Sequence, residues 1–300
     1  MNGSKFQVIG LGQCSIDYLG IVESYPPANV KCEFNNMLIQ GGGPVATAMV
    51  ALSRWGVRCT FAGVVGNDSF GNEITRSLEE EGVDTGGLLA REGCTSQFAF
   101  IAVEPGSGSR TIFWQRPSGA VPHPDEIDYN QIRNADFLYT DGLFVETTIE
   151  ACREARKSGT KVVVDAGTLR EGMLELAGLS DYFIASRIFA RALTGDGNEI
   201  EACRKISALG PEIVGVTLGE EGYVAMVDGE ITKHPAYKVD AVDTTGCGDV
   251  FHAGFTYGLI HGWDKLKCLD FGAWAASRVA LELGGRAGIP DAGDYPSCEQ

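Results

Sequence analysis

The residues best placed to do chemistry are Asp243-Thr244-Thr245-Gly246-Cys247-Gly248-Asp249, running on into Val250-Phe251-His252-Ala253-Gly254. A flexible Gly-Cys-Gly turn opens directly into an apolar-periodic helix expected over 246–261. The first amides of such a helix have no intrahelical partner and carry partial positive charge, so they face whatever anion sits on the axis. Gly246 and Gly248 let the backbone come within hydrogen-bond distance of that anion. A carboxylate there repels phosphate, so Asp249 is out of place in a plain anion site. It makes sense as a base that takes the proton of a hydroxyl attacking a phosphoryl group, while the amides hold the developing charge. The competing reading is an ordinary first-turn helix acid; the Gly-x-Gly-Asp setting weighs against it.

A second signal is Gln40-Gly41-Gly42-Gly43-Pro44-Val45-Ala46-Thr47-Ala48. Triple glycine, proline at an early helical position and small helix residues let a ligand lie against the helix start, or simply make a tight strand–helix turn. A third, Gly10-Leu11-Gly12-Gln13-Cys14-Ser15-Ile16-Asp17, looks like a dinucleotide fingerprint but lacks its third glycine, and Asp17 and Pro26-Pro27 interrupt the helix it needs. Walker A, G-x-S-x-G, H-E-x-x-H and protein-kinase H-R-D patterns are absent. The four histidines show no ligand spacing, and His252 reads as a packed core or rim residue.

Elements must position these residues. Buried strands are expected at Phe6–Gly10, Cys59–Val65, Ala135–Thr140, Lys161–Asp165, Asp181–Ala185 and Glu212–Thr217. Helices are expected over 43–56, 69–81, 147–158, 186–193, 198–209, 246–261 and 264–283. That alternation predicts an α/β fold, a mostly parallel sheet with helices on both faces. Segments 17–40 and 95–117 read instead as extended strands with turns at Pro26-Pro27 and Gly106-Ser107, a small antiparallel lid inserted into one domain spanning 1–300. Ligands of such sheets bind beyond the strands' carboxyl ends. Asp17, Asp141-Gly142, Asp165-Ala166-Gly167 and Thr217-Leu218-Gly219 line that rim.

Composition bounds the rest. An apolar share of 44% over 300 residues supplies a large core, and glycine, at 40, is in marked excess. A net charge of −16 disfavours nucleic acid or an anionic membrane surface as partner. Nine cysteines without a C-x-x-C pair read as reduced, mostly buried thiols, and the start lacks a signal-peptide pattern, so the chain reads as cytoplasmic. The sequons at Asn2 and Asn67 carry no meaning without secretion.

Through Gly41–Ala48 and Asp243–Asp249, the chain resembles the ribokinase-like (PfkB) carbohydrate kinases. Gly63-Val64-Val65-Gly66-Asn67-Asp68-Ser69-Phe70-Gly71-Asn72 and Thr217-Leu218-Gly219-Glu220-Glu221-Gly222 extend the match over essentially the whole chain. The resemblance implies a three-layer α/β/α sandwich, and transfer of the γ-phosphoryl group of ATP, with Mg2+, to a sugar hydroxyl. It implies Asp249 as base and the amides of Gly246, Cys247 and Gly248 as anion hole. Asp17, Gly42 and Gly43 would hold the sugar, with Arg110 reaching substrate or γ-phosphate. Thr217, Gly219, Gly222 and the helix around Gly272 and Ala276 would line the nucleotide site. Asp243 would help hold a monovalent cation such as K+, and the lid would mediate a homodimer.

Three departures bear on substrate and metal. Where many members carry Asn-x-x-Glu, this chain has Ser186-Arg187-Ile188-Phe189, leaving Ser186 at the nucleotide site and Asp165, with Asp141, to hold magnesium through water. Ala46 replaces an asparagine that contacts sugar in ribokinases. Leu143-Phe144 stands where ketose branches usually place an arginine, although Ser107–Ile112, Pro235–Asp243 and Gly284–Pro290 look closer to the fructokinase, ketohexokinase and sulfofructose kinase branch. The expectation is a kinase of a small, ketose-type sugar. The alternatives are a nucleoside kinase of the same fold and a catalytically silent sugar-binding regulator.

Overall fold

The computed structural model describes residues 5–104 and 108–296, so Asn2, the turn residues Gly106 and Ser107, and Cys298 lie outside the described residues. In chain order the strands are Val8–Leu11 (β1), Ser15–Ile21 (β2), Asn36–Gly42 (β3), Cys59–Gly66 (β4), Asp84–Arg91 (β5), Phe98–Glu104 (β6), Ser109–Gln115 (β7), Phe137–Thr140 (β8), Lys161–Ala166 (β9), Tyr182–Ser186 (β10), Ile213–Thr217 (β11), Tyr223–Val227 (β12) and Glu230–His234 (β13). The α-helices are Pro44–Arg54 (α1), Ser69–Glu80 (α2), Tyr129–Asn134 (α3), Val145–Ser158 (α4), Met173–Leu179 (α5), Arg187–Thr194 (α6), Glu199–Ser207 (α7), Cys247–Ile260 (α8) and Lys265–Val279 (α9).

Nine strands form one sheet in the order β13-β12-β11-β10-β9-β8-β1-β4-β5. It is parallel from β11 to β5 and closes at the other edge with the antiparallel β11–β12 and β12–β13 pairs. Helices α1, α2, α8 and α9 bury Met49, Leu52, Leu78, Phe255 and Phe271 against one face. The other face is covered by α3 to α7 through Ile132, Cys152, Leu176, Phe189 and Ile206. This is the three-layer sandwich expected. The chain starts at β1, runs outward to β4 and β5, then returns to β8 and continues the other way. Loops therefore diverge between β1 and β8, which opens a crevice at their carboxyl ends.

The two segments expected to form a lid build a separate four-stranded sheet in the order β3-β2-β6-β7. Its outer pairs are antiparallel, but the central β2–β6 pair is parallel. The reason lies in the main sheet: β2 follows β1 and β6 follows β5, and both leave parallel strands in the same direction. Leu19, Ala99, Ile101 and Val103 pack on Leu283 beneath the lid.

Four features escaped the sequence reading: the half-exposed edge strand β5, the short helices α3 and α5, and the β12–β13 hairpin. The hairpin turns through Asp228 and Gly229, both at positive φ (51° and 82°). Asp-Gly between two apolar runs is the type I′ signal that would have located it. Of the eight cysteines described, all are free and five are buried. Among the described residues no helix is long and apolar enough to cross a membrane.

Candidate active site

At the start of α8, Gly246 is the N-cap at φ +74°, and a Cβ there would meet the Gly285 Cα at 2.4 Å, so only glycine fits. Gly248 differs: a Cβ would meet nothing within 4 Å, and the residue faces open space. The Val250 amide donates to the Gly246 carbonyl, and the Cys247 amide lies 3.4 Å from the Thr244 carbonyl. Among the described residues the amides of Gly248 and Asp249 find no protein acceptor. The Gly246 amide likewise has no acceptor among the described residues, so the open donors take in Gly246 and Gly248 of the expected set and extend to Asp249. Asp249 is half-buried beside them. Burial pushes its carboxyl up to about 7, helped by the Asp165 and Asp17 charges and opposed by His252 and Arg110. Burial also pushes the Cys247 thiol up to about 12.

Asp17 comes from β2 and is buried, its Oδ1 accepting from the Ser15 hydroxyl at 2.7 Å. Burial raises its carboxyl to about 6, against the Ser15 hydrogen bond and the Arg286 charge. The triple glycine is what makes room for these side chains. A Cβ on Gly42 would lie 1.9 Å from Asp17 Oδ2, and one on Gly41 would lie 2.4 Å from Arg286 Nη1. A Cβ on Gly43 would meet the Cys14 Cα at 2.6 Å, so this glycine serves the turn into α1. Lid register sets Asp17, Ala99 and Trp114 in one row across β2, β6 and β7, on one face of the lid. Trp114 is 51% exposed, and Ala99 between them is small, so an apolar wall stands two strands from the Asp17 carboxylate.

The lid reaches the α8 turn at its other end. Arg110 Nη1 donates to the Thr244 hydroxyl at 2.7 Å, and that hydroxyl donates to the Gly108 carbonyl at 2.9 Å. Arg110 therefore sits on the loop leading to Gly246, and its charge is felt at both Asp249 and Cys247.

Asp141 and Asp165 do not play the same part. Asp141 accepts the amides of Gln13 (2.9 Å) and Leu143 (2.8 Å), clamping the loops after β1 and β8 together, while burial raises its carboxyl to about 6. Asp165 is buried, with the Tyr139 hydroxyl 3.4 Å from Oδ2 and His252 Nε2 3.4 Å from Oδ1. Each oxygen thus has one long protein contact and lone pairs to spare, so these contacts neither supply nor remove the water-mediated magnesium role expected of it. Among the described residues no cluster of three or more His, Cys, Asp or Glu side chains is close enough to hold a metal by itself. Two cations that the sequence reading passed over stand nearby: Arg286, buried under Gly41 with its Nε unpartnered, and Arg170, with a buried, unpartnered Nη1 and a charge felt at Asp141. Nothing in their local spacing marks them.

On the far side of the rim, Thr217 ends β11 and its hydroxyl donates to the Ala185 carbonyl at 3.4 Å. Gly219 opens onto empty space, while Gly222 is held against the His234 carbonyl. Ser186 caps α6, accepting from the Phe189 amide (3.1 Å) and donating to the Gly167 carbonyl (2.7 Å). Arg187 crosses to the Leu218 carbonyl at 2.9 Å. Ala276 is half-buried on α9, but Gly272 is a correction: it is buried where α8 crosses α9, and a Cβ there would lie 2.5 Å from the Phe251 carbonyl. Its missing side chain serves helix packing, not a ligand. Asp243 is fully buried and accepts the Thr245 amide (2.9 Å), the Thr245 hydroxyl (2.8 Å) and the Gly284 amide (2.9 Å).

The family profile described as pfkB family carbohydrate kinase matches residues 5–292. A 5-dehydro-2-deoxygluconokinase of Shouchella clausii is 29% identical, covering 96% of this chain and 94% of that protein. The ribokinase of Haemophilus influenzae is 28% identical over 93% of this chain and 94% of its own length. The crystal structure of a ribokinase from Thermotoga maritima shares the fold with a TM-score of 0.81 at 24% identity, over 96% of this chain and 97% of that one.

Proposed function

This chain belongs to the pfkB family of carbohydrate kinases, and on that premise we propose that it transfers the γ-phosphoryl group of MgATP to a hydroxyl of a small sugar with Asp249 as the base. One observation carries the reading: a half-buried carboxylate held near neutrality lies directly beside two amides without a protein acceptor. Asp249 takes the proton of the attacking hydroxyl, and the oxygen so freed attacks the γ-phosphorus as the bond to the ADP oxygen breaks. The amides of Gly248 and Asp249 face the charge that develops. Asp17 accepts from sugar hydroxyls and orients them, while the lid, anchored on Thr244 through Arg110, excludes water. Magnesium, arriving with ATP, neutralises phosphate charge that the acidic rim does not.

Asp249→Asn is the direct test. Turnover falls by roughly 100-fold or more while the sugar dissociation constant stays within about twofold, as expected when Asn keeps a hydrogen bond to the hydroxyl but cannot take its proton. An Asn variant that turns over at the wild-type rate removes the assignment.

On substrate, a ketose-type sugar remains the first reading, and a sugar acid is the second. What favours the second is Arg170: an unpartnered guanidinium nitrogen on this rim suits a carboxylate, and the Shouchella clausii relative is named for a gluconate derivative. A coupled assay over fructose, ribose, nucleosides and 5-dehydro-2-deoxygluconate decides it; activity on the acid that Arg170→Ala abolishes selects the acid. Binding without turnover of any of them would favour the silent regulator.

Two finer parts belong to the same reading. Asp243 is a buried carboxyl with no ion-pair partner among the described residues, which fits the monovalent-cation role the family resemblance implies; equal turnover in potassium and tetramethylammonium buffers excludes that role. Met37, Ile39 and Phe113 share the lid face opposite Asp17 and are exposed, which fits a homodimer through the lid in a cytoplasmic enzyme. Light scattering on Phe113→Glu tests it, and a native protein that is already monomeric sinks it.

A further inference from the structure

His252 lies in the second turn of α8 and is 3% exposed. Its Nδ1 is 2.6 Å from the Gly248 carbonyl, and its Nε2 is 3.1 Å from the Ile184 carbonyl in the middle of β10. The same Nε2 is 3.4 Å from Asp165 Oδ1 at the end of β9. Every polar neighbour of the ring is an acceptor. One side chain thus ties the first turn of α8 to two central strands of the sheet.

What it ties is the peptide that matters. The Gly248 carbonyl and the Asp249 amide belong to one planar unit, so fixing the carbonyl fixes the direction of the N–H. That N–H is one of the open donors, and the unit carries Asp249 on its far side. Gly248 itself is exposed and has no Cβ contact to hold it. Without the imidazole, this first-turn peptide is held by the backbone of α8 alone.

We propose that His252 is a positioning residue for phosphoryl transfer, locking the Gly248–Asp249 peptide against Asp165 and β10 so that amide and base keep a single orientation. It touches neither sugar nor nucleotide; it acts through Gly248, Asp249 and Asp165. The imidazole also lies beside the Asp165 carboxylate, and it opposes the effect of Asp165 on Asp249. The inference rests on the kinase reading of this site.

The test compares His252→Leu, which keeps volume without a donor, with His252→Gln, which keeps one donor. The leucine variant loses about 100-fold in kcat, as expected for small misplacement of reacting groups, while the sugar and MgATP KM values stay within about twofold. The glutamine variant recovers part of that loss. A double variant with Asp165→Asn loses no more than His252→Leu alone, because the two side chains act as one unit. A leucine variant within about twofold of wild-type kcat overturns the proposal, as does a loss that resides in the sugar KM or losses that multiply in the double variant. Should the leucine variant not fold, Asp165→Asn carries the test: a fall of about tenfold or more in kcat at unchanged sugar affinity supports the lock, and unchanged kcat overturns it. Hydrogen exchange over 246–252 in the free protein separates the two levels of inference. Faster exchange in His252→Gln keeps the lock even if no sugar is phosphorylated by wild type, in which case it is the kinase reading that fails; unchanged exchange overturns the lock itself.

Discussion

At the scale of the residue, the site is built from acids held in the wrong solvent. Asp249 is raised to about 7, and Asp17 and Asp141 to about 6, each first by burial. A raised carboxyl binds its proton more tightly folded than unfolded, so the folded state is favoured below the unfolded pKa and loses that advantage as pH rises through the folded one. The window for Asp249 therefore runs from about 4 to about 7. Asn at 249 cannot ionise, so Asp249→Asn should melt higher than wild type near pH 8, with the gap closing toward pH 4; thermal scans of ligand-free protein at both pH values read it, and an Asn variant that melts lower at pH 8 contradicts the burial. The same titration predicts that kcat/KM falls on the acid side with an apparent pKa of about 7. Asp249 and Asp17 were legible in the sequence because glycine patterns flank them. His252 was not: its role depends on Gly248, Ile184 and Asp165 meeting it in space, and no spacing rule announces three acceptors from three elements.

At the scale of the element, two glycines two residues apart do opposite work at the start of α8. Gly246 is demanded by positive φ and by the Gly285 backbone, whereas Gly248 leaves a space that the protein does not use. Gly246→Ala should destabilise the protein markedly. Gly248→Ala should hold or raise the melting temperature, since alanine is better than glycine in a helix by about 1 kcal/mol, and yet lose at least about tenfold in turnover as the methyl enters the phosphate position. Equal melting and full activity in both variants would remove the distinction. Helix positions proved legible to within a few residues because periodicity and caps agree at Asp68, Asn198 and Asp264. Strand β5 was not, since Asp84, Gly86 and Gly87 dilute its apolar pattern and its pairing with β4 alone makes it a strand. The parallel β2–β6 pair was equally invisible, because lid topology is inherited from strands far away in sequence.

At the scale of the whole molecule, a net charge of −16 surrounds a site for an anionic nucleotide. Long-range repulsion slows the encounter and is screened within about 10 Å at 0.1 M salt. The association rate of MgATP should therefore rise between about 20 and about 200 mM salt, the reverse of a basic nucleotide site; stopped-flow binding measures it, and a rate that falls with salt places an unrecognised cationic funnel at the rim. On the proposed function, affinity once bound would come from local groups: the α8 turn, the lid arginine and the metal. The tail of the chain adds a condition in time. Gly284 donates to Asp243, Gly285 abuts Gly246, and Arg286 lies under Gly41 within the field of Asp17. A nascent chain still lacking these last residues already carries Asp17, Asp165 and Asp249, but the two glycine turns have nothing to close on. Competence of the proposed site thus waits until residues 284–286 have been made.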